Sequence, residues 1–318
     1  MEKKSPLLVL TGPTSVGKTG LSIALAKRVG GEIISADSMQ VYRHMDIGSA
    51  KIRPEEMQGV PHHMIDILEP TECFNITLFQ QYAVRYIREI YERGHIPIVV
   101  GGTGFYIQSV LYGIDFTKED GDGAYRDMIS RLWEEHGADY VHGMLRACDP
   151  VSADTIHVNN KKRVIRALEY YHLTGQRFSE HNEKERAREC KYNACYFVLN
   201  DDRQRIYDTI DRRVDQMLAD GLVEEVKRLW QMGCRPDMVS MQGLGYQEIM
   251  AYLEGRLTLE QAVYLIKRDT RHFAKRQLTW FRRERDVIWL EKKQFDYDEE
   301  RILACIQENM REKGIGMD

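Results

Sequence analysis

Apolar and polar positions alternate along the first third of the chain in blocks that change period. Leu7-Leu8-Val9-Leu10 is an uninterrupted apolar run and reads as a strand. From Thr19 to Val29, Leu21, Ala24, Leu25 and Arg28 recur on one helical face with Ile23 and Ala26 beside it, and Gly30-Gly31 supplies a stop. A second strand, Glu32 to Ala36, ends in Asp37-Ser38. Thr77 to Arg93 carries Phe79, Tyr82, Ala83, Tyr86, Ile87 and Ile90 at helical spacing, closed by Gly94. A third strand, Ile96 to Val100, then runs into Gly101-Gly102-Thr103-Gly104, with Pro97 expected to mark the strand's first residue. Strands alternating with helices predict a doubly wound, mainly parallel sheet with ligands at the strand carboxyl ends.

The pattern changes after Tyr112. Asp115 to Gly123 is a polar link, followed by helical stretches at Tyr125 to His136 and Asn160 to His172, the latter expected to bury Val164, Leu168 and Tyr171. After the polar stretch Ser179 to Glu189, Tyr192 to Leu199 is strand-like again. The spacing therefore predicts two domains: a core of residues 1–114 and 191–318 that ends in helices, and a helical insertion of residues 115–190. Further helices are expected at Arg203 to Ala219, Leu222 to Met232 and Leu259 to Arg283, with a turn at Gly243-Leu244-Gly245-Tyr246. In the last helix Ile266, Phe273 and Trp280 recur every seven residues, and Arg268, Lys275 and Arg282 do so two residues out of phase. Two residues are about 200° of rotation, which predicts an apolar and a basic stripe on opposite faces.

Composition narrows the class. The chain has 318 residues, 43% of them hydrophobic, enough for one large core or two modest ones. It holds no run of eighteen apolar residues, and its start lacks a signal-peptide pattern, so a cytoplasmic protein is expected. The six cysteines form no C-x-x-C pair and read as reduced thiols; Cys190 and Cys195 with His181 lack zinc-site spacing, and His62-His63 reads as structural. A net charge of −4 argues against a protein that coats nucleic acid indiscriminately. Locally the balance reverses: from 267 to 285, Lys267, Arg268, Arg271, Lys275, Arg276, Arg282, Arg283 and Arg285 are opposed only by Asp269 and Glu284, a pattern suited to phosphate-backbone binding.

The chemistry enters with Gly12-Pro13-Thr14-Ser15-Val16-Gly17-Lys18-Thr19, which fits G-x-x-x-x-G-K-[ST] at every fixed position between a strand and a helix. Backbone N–H groups of such a loop face an anion, Lys18 adds a point charge, and Thr19 offers a hydroxyl to a bound Mg²⁺. The following helix turns its positive end toward the same place. The expected fold is thus α/β, a P-loop NTPase-like doubly wound sheet with an inserted, mostly helical domain, in which the loops bearing Lys18, Asp37 and Thr103 converge on one crevice. No N-K-x-D motif for reading guanine is present, and the strand that in a kinase commonly ends in a metal-positioning acid ends here in Gly101-Gly102-Thr103.

Several ordered blocks together resemble the bacterial tRNA dimethylallyltransferases. They are the P-loop, Ser35-Ala36-Asp37-Ser38-Met39-Gln40-Val41-Tyr42 with Met45-Asp46-Ile47-Gly48, His62-His63-x-Ile65-Asp66, and Gly101-Gly102-Thr103-Gly104-x-Tyr106. Arg163-x-x-Arg166-Ala167-Leu168-Glu169, Gly245-Tyr246, and Thr270-Arg271-x-x-Ala274-Lys275-Arg276-Gln277-x-Thr279-Trp280-Phe281-Arg282 complete the set. The resemblance spans Leu7 to about Trp289 and implies transfer of a dimethylallyl group from dimethylallyl pyrophosphate to N6 of the adenosine just 3′ of a tRNA anticodon. It implies that residues 12–19 hold the pyrophosphate, that Mg²⁺ sits near Thr19, and that Lys18, Asp37 and Thr103 are catalytic. Asp37 would accept the N6 proton or, alternatively, contact the metal. For the tRNA anticodon stem-loop it implies contacts from Asp37, Ser38, Met39, Gln40 and Thr103, from Arg126, Lys162, Arg163 and Arg166 of the insertion, and from Arg271, Lys275, Arg276 and Gln277 of the long helix, in a monomer. An adenylate isopentenyltransferase and a non-alkylating P-loop RNA-binding protein are the alternatives.

Overall fold

Strands β1 (Pro6–Thr11), β2 (Gly31–Ala36), β3 (His62–His63), β4 (Ile96–Gly101), β5 (Asn193–Asn200) and β6 (Val287–Glu291) pair into one sheet in the computed structural model, which describes residues 4–114 and 123–316. Their order is β3-β2-β4-β1-β5-β6, and every neighbouring pair is parallel. A strand covered on both faces is apolar at successive positions, and Leu7, Leu8, Val9 and Leu10 of the central β1 are all fully buried. Pro97 lies second in β4, opposite Glu32, rather than first; it is tolerated in a central strand because it sits at the strand's beginning.

Two compact units divide the chain, Met1–Leu111 with Lys191–Asp318, and Tyr112–Cys190. In the first, α1 (Lys18–Val29) starts directly at the P-loop and ends where Gly30 takes a left-handed φ of 60°. Gly31 does not belong to that stop: it opens β2, and a Cβ there would lie 2.9 Å from the carbonyl oxygen of Ile96. Next, α2 (Ile76–Glu92) buries Phe79, Ala83, Ile87 and Ile90, and its N-cap Asn75 accepts the Leu78 N–H at 2.9 Å. It is followed by α3 (Gly104–Tyr112).

The second unit consists of α4 (Ala124–Cys148), kinked at Gly137, α5 (Pro150–Thr155), α6 (Lys161–Thr174) and α7 (Phe178–Ala187). Residues 115–122 of the expected polar link lie outside the described residues. The unit's core gathers Ile129, Val141, Leu145, Ile156, Val164 and Leu168. Fully buried Asp149 joins the ends of two helices, accepting the Ser152 N–H and hydroxyl at 3.1 and 2.6 Å and those of Ser179 at 2.8 and 2.7 Å. Tyr171, expected inside, is exposed, and Tyr170 is buried instead.

The first unit closes with α8 (Arg203–Ala219), α9 (Leu222–Gln231), α10 (Tyr246–Leu253), α11 (Leu259–Phe281) and α12 (Glu299–Glu312). The short edge strands β3 and β6, with α10 and α12, have no counterpart in the sequence reading. Ile302, Leu303, Ile306 and Met310 of α12 join Leu21, Leu25 and Val29 of α1 in one apolar layer against Leu8 and Leu10. In α11 the buried seam is Ala262, Ile266, Ala274, Gln277 and Phe281. The expected seven-residue apolar stripe starts in that seam at Ile266 and leaves it: a straight helix drifts about 20° per heptad, so Trp280 emerges 37% exposed.

At the amino end of β2 the buried Glu32 carboxylate receives Arg93 at 2.8 and 2.7 Å, His95 at 2.6 Å and His63 at 2.6 Å. The Arg93 hydrogen bond holds its pKa down to about 2 against the opposing effect of burial, with His95 and His63 adding to the depression. A carboxylate depressed in the folded state stabilises the fold above its ordinary value near 4.5, and that stabilisation disappears as pH falls toward 2. The melting temperature of Glu32→Gln is expected to lie below that of the unaltered protein at neutral pH, with the gap shrinking as pH is lowered through this window in thermal melts.

Candidate active site

The carboxyl ends of β1, β2 and β4 open onto a cavity of about 980 Å³ within the first unit, enclosed further by α8, the Gln242–Gln247 turn and α11. The loop after β1 needs unusual backbone: Gly12 has φ 148° and a Cβ there would sit 2.2 Å from the carbonyl oxygen of Leu199, while Gly17, at φ 97°, is the N-cap of α1. Ser15 also takes positive φ, at 64°. Lys18 Nζ donates to the carbonyl oxygens of Gly12 and Pro13 at 2.9 and 2.7 Å. Val16 is buried, and Thr14, Ser15, Gly17, Lys18 and Thr19 line the cavity.

The second loop is anchored by Asp37 itself. Its Oδ1 accepts the Met39 N–H at 2.8 Å and the Gln40 N–H at 3.4 Å, which orients the carboxyl group just past β2. Ser38, Met39 and Gln40 continue the wall, with Gln40 Oε1 accepting the Ser35 hydroxyl at 3.0 Å. In the third loop Gly101 packs so tightly on β2 that a Cβ would lie 2.3 Å from the carbonyl oxygen of Ala36. Thr103 lines the cavity and its carbonyl receives the Tyr106 and Ile107 N–H groups at 3.0 and 3.2 Å, starting α3. Lys18, Asp37 and Thr103 thus meet as the convergence of three loops requires.

Arg213 of α8 joins them, and the sequence reading did not include it. It donates to the Ser15 hydroxyl at 3.5 Å and lines the same cavity. Burial, then the neighbouring Arg213 charge, push the Lys18 ammonium down to about 7, while Asp37 pulls it up. Burial likewise lowers Arg213, opposed by Asp37. Lys18 and Arg213, both partly buried, share the cavity with Asp37, so positive charge outweighs negative there, which is the electrostatics of an anion site. A signal existed: Arg213 stands next to Val214 and three residues after Ile210, so it falls on the inward side of an amphipathic helix.

Ile210, Val214 and Met217 of α8, Leu244, and Ile266 and Phe273 of α11 add apolar surface to a wall that elsewhere carries polar side chains such as Thr209, Gln216, Gln247 and Thr270. Another unforeseen residue, buried Glu225 of α9, braces the cavity rim. It accepts the Asp46, Ile47 and Gly48 N–H groups at 3.0, 2.8 and 3.1 Å and the Tyr246 hydroxyl at 2.8 Å. The Asp46–Gly48 and Gly245-Tyr246 blocks, far apart in sequence, are joined by this carboxylate.

The expected RNA-contacting side chains fall into three conditions. Lys275 and Arg276 are exposed on α11 beside His272, Thr279, Trp280 and Arg283, which together line a shallow groove of about 400 Å³. Arg271 is instead paired with Asp211 at 2.5 Å, and Gln277 is buried with both amide atoms bonded inside the protein, Oε1 to the Thr14 N–H and Nε2 to the Gly102 carbonyl, each at 2.9 Å. In the other unit Lys162 and Arg163 are exposed in the first turn of α6, whereas Arg126 and Arg166 reach the buried Glu169 carboxylate at 2.7 and 3.5 Å.

A family described as IPP transferase matches residues 40–284, and one described as isopentenyl transferase matches residues 6–68. A tRNA dimethylallyltransferase of Lachnoclostridium phytofermentans is 59% identical over 310 residues, covering 98% of this chain and 99% of the relative. Among solved structures, the full-length tRNA isopentenylpyrophosphate transferase of Bacillus halodurans is similar at 44% identity and a TM-score of 0.74, with 98% of each chain covered. A eukaryotic dimethylallyltransferase, solved acting on tRNA, is similar at 30% identity and a TM-score of 0.76 over 90% of this chain and 74% of its own. With the phosphate loop, the Asp37 segment and the long basic helix all inside the matched spans, the chain belongs to the IPP transferase family.

Proposed function

We propose that the protein transfers the dimethylallyl group of dimethylallyl pyrophosphate to N6 of the adenosine 3′ to the anticodon of tRNA, releasing pyrophosphate. The observation that carries this reading is the meeting of Lys18 and Arg213 with Asp37 in one cavity that also presents apolar side chains, among them Ile210, Val214, Met217 and Phe273. A diphosphate needs the cations, a five-carbon chain needs the apolar surface, and an aromatic amine needs the carboxylate.

The reaction forms a bond from N6 to C1 of the allyl group as the C1–O bond to the diphosphate breaks. Negative charge accumulates on the departing oxygens, where Lys18, Arg213 and the loop's backbone N–H groups stabilise it, and no phosphoryl group moves. Asp37 accepts the N6 proton: its Oδ1 is fixed by two backbone amides, and its Oδ2 has no bonded partner among the described residues. Thr103 would hold the same base from the adjoining loop.

No group of three His, Cys, Asp or Glu side chains suited to a metal occurs among the described residues. Thr19, which lines the cavity, would offer its hydroxyl to Mg²⁺, an ion that keeps much of its hydration and needs few protein ligands. Mg²⁺ held there would neutralise diphosphate charge and favour departure of the leaving group. On the acceptor side, Lys275 and Arg276 with the neighbouring groove of α11 would bind the anticodon stem-loop backbone, and Lys162 and Arg163 of the insertion are the second set of phosphate contacts. The target base must leave its stack to reach Asp37.

Purified protein with Mg²⁺ and labelled dimethylallyl pyrophosphate is expected to transfer label to unmodified tRNA and not to AMP; label in AMP alone would overturn the reading, and label in neither would leave a binding protein. Asp37→Ala is expected to lower kcat by about 10²- to 10⁴-fold while pyrophosphate binding, measured by calorimetry with Mg²⁺ present, stays near that of the unaltered protein. An equal loss of binding would assign Asp37 to the metal instead. Because the free Lys18 ammonium titrates near 7 and a bound anion raises its pKa, pyrophosphate binding above that pH takes up a proton and weakens as pH rises. Calorimetry in buffers of different ionisation enthalpy at alkaline pH should show this uptake, and Lys18→Met should abolish it.

A further inference from the structure

A carboxamide in a helix seam is costly unless each of its atoms is bonded, so the partners it finds reveal what it holds in place. Gln277 lies in the buried seam of α11, between Ala274 and Phe281, and is 6% exposed. Its Oε1 accepts the Thr14 N–H and its Nε2 donates to the Gly102 carbonyl, each at 2.9 Å. One side chain therefore ties a helix to two catalytic loops more than 170 residues away in sequence. The fit is specific on the loop side as well. Gly102 leaves the room the amide occupies, since a Cβ there would stand 2.1 Å from Nε2.

Thr14 belongs to the loop that holds the diphosphate, and Gly102 immediately precedes Thr103. The Thr14 N–H, already bonded to Gln277, is not free to bind the anion, so the bond serves the shape of the loop rather than ligation. On the same rigid helix, Lys275 and Arg276 precede Gln277 and are exposed. Any displacement of α11 by a ligand on its basic face is thus carried by a pair of hydrogen bonds to both loops of the donor site.

We propose that Gln277 is a positioning residue that couples the two substrates: RNA phosphates docked on α11 set the Thr14 and Gly102 loops through its amide, so the donor's diphosphate binds more tightly to the RNA-loaded protein than to the free one. The inference rests on the function proposed above. By linkage the effect is reciprocal, so pyrophosphate tightens RNA binding by the same factor.

The test is calorimetric titration of Mg²⁺-pyrophosphate into the full chain, alone and saturated with an unmodified anticodon stem-loop RNA. For the unaltered protein RNA is expected to tighten pyrophosphate at least about fivefold. Gln277→Met, of similar length but without hydrogen bonds, is expected to keep each separate affinity within about threefold while the ratio falls to near one, and to lower kcat more than it raises KM. Gln277→Glu, which retains the acceptor for the Thr14 N–H, should recover part of the ratio. Gly102→Ala leaves Gln277 chemically intact and pushes its amide aside, so it should reproduce Gln277→Met, and it carries the test if Gln277→Met fails to fold. A ratio near one in the unaltered protein, or an unchanged ratio in Gln277→Met and Gly102→Ala, overturns the coupling alone. Failure of the unaltered protein to bind either ligand overturns the underlying function and the coupling with it.

Discussion

Two positive charges in one partly buried space are the constraint on which the rest of the site depends. Lys18 and Arg213 approach each other from the first turn of α1 and the middle of α8, and burial and mutual repulsion disfavour the charge on Lys18. Left alone such a pair destabilises the fold, and Asp37 offsets only part of it. The structure tolerates the arrangement through stiff surroundings: Lys18 is bonded to two carbonyl oxygens, and the central strand that leads into the loop is fully buried from Leu7 to Thr11. An anion with several negative oxygens turns that unfavourable field into binding energy. Stability given up at an active site is in this sense the counterpart of its affinity.

The same logic explains how a mildly acidic protein suits an RNA substrate. Net charge governs encounters at long range, whereas docking depends on where unpaired charge lies within about a Debye length. On α11, Lys267 and Arg271 are neutralised by Asp215 and Asp211 of α8, at 2.6 and 2.5 Å, and Arg268 by Asp269 at 2.8 Å. The first two pairs tie α11 to α8, and the third lies within α11 itself. Lys275 and Arg276 stand exposed beyond them, so the basic stripe divides by position into one part that holds the helix and one that faces outward.

Much of this was legible in the sequence because local patterns carried it. The P-loop spacing located Lys18, the apolar run ending in Asp37 located the second loop, and the strand before Gly101 located the third. The parallel, doubly wound sheet follows from alternating periods, whereas the order of its strands does not. What stayed hidden depends on tertiary contact. Arg213 is one arginine among many on α8 until α8 is packed against the loop, and Glu225 reads as an ordinary helix acid until three backbone N–H groups converge on it. The short strands β3 and β6 have too few residues to show a period, and each lies at an edge of the sheet. In α11 the expected heptad stripe through Ile266, Phe273 and Trp280 drifts on a helix that repeats every 3.6 residues, and Gln277 rather than Trp280 lies in the buried seam.

The position of Gln277 in the seam has a physical consequence. Had the buried face of α11 been wholly apolar, it would have packed as well and left the Thr14 N–H and the Gly102 carbonyl to find other partners. An amide placed there adds little net stability, since its gain is set against the cost of burying polar atoms. What it adds is direction: a hydrogen bond defines the relative position of two loops far more narrowly than apolar contact does. In the proposed reaction a nucleophile held near Asp37 must line up with a carbon attached to a leaving group held near Lys18. Those two residues reside on separate loops, as does Thr103. Geometry between loops is therefore the quantity under tightest constraint, and the side chain that fixes it comes from α11, the helix proposed to dock the RNA.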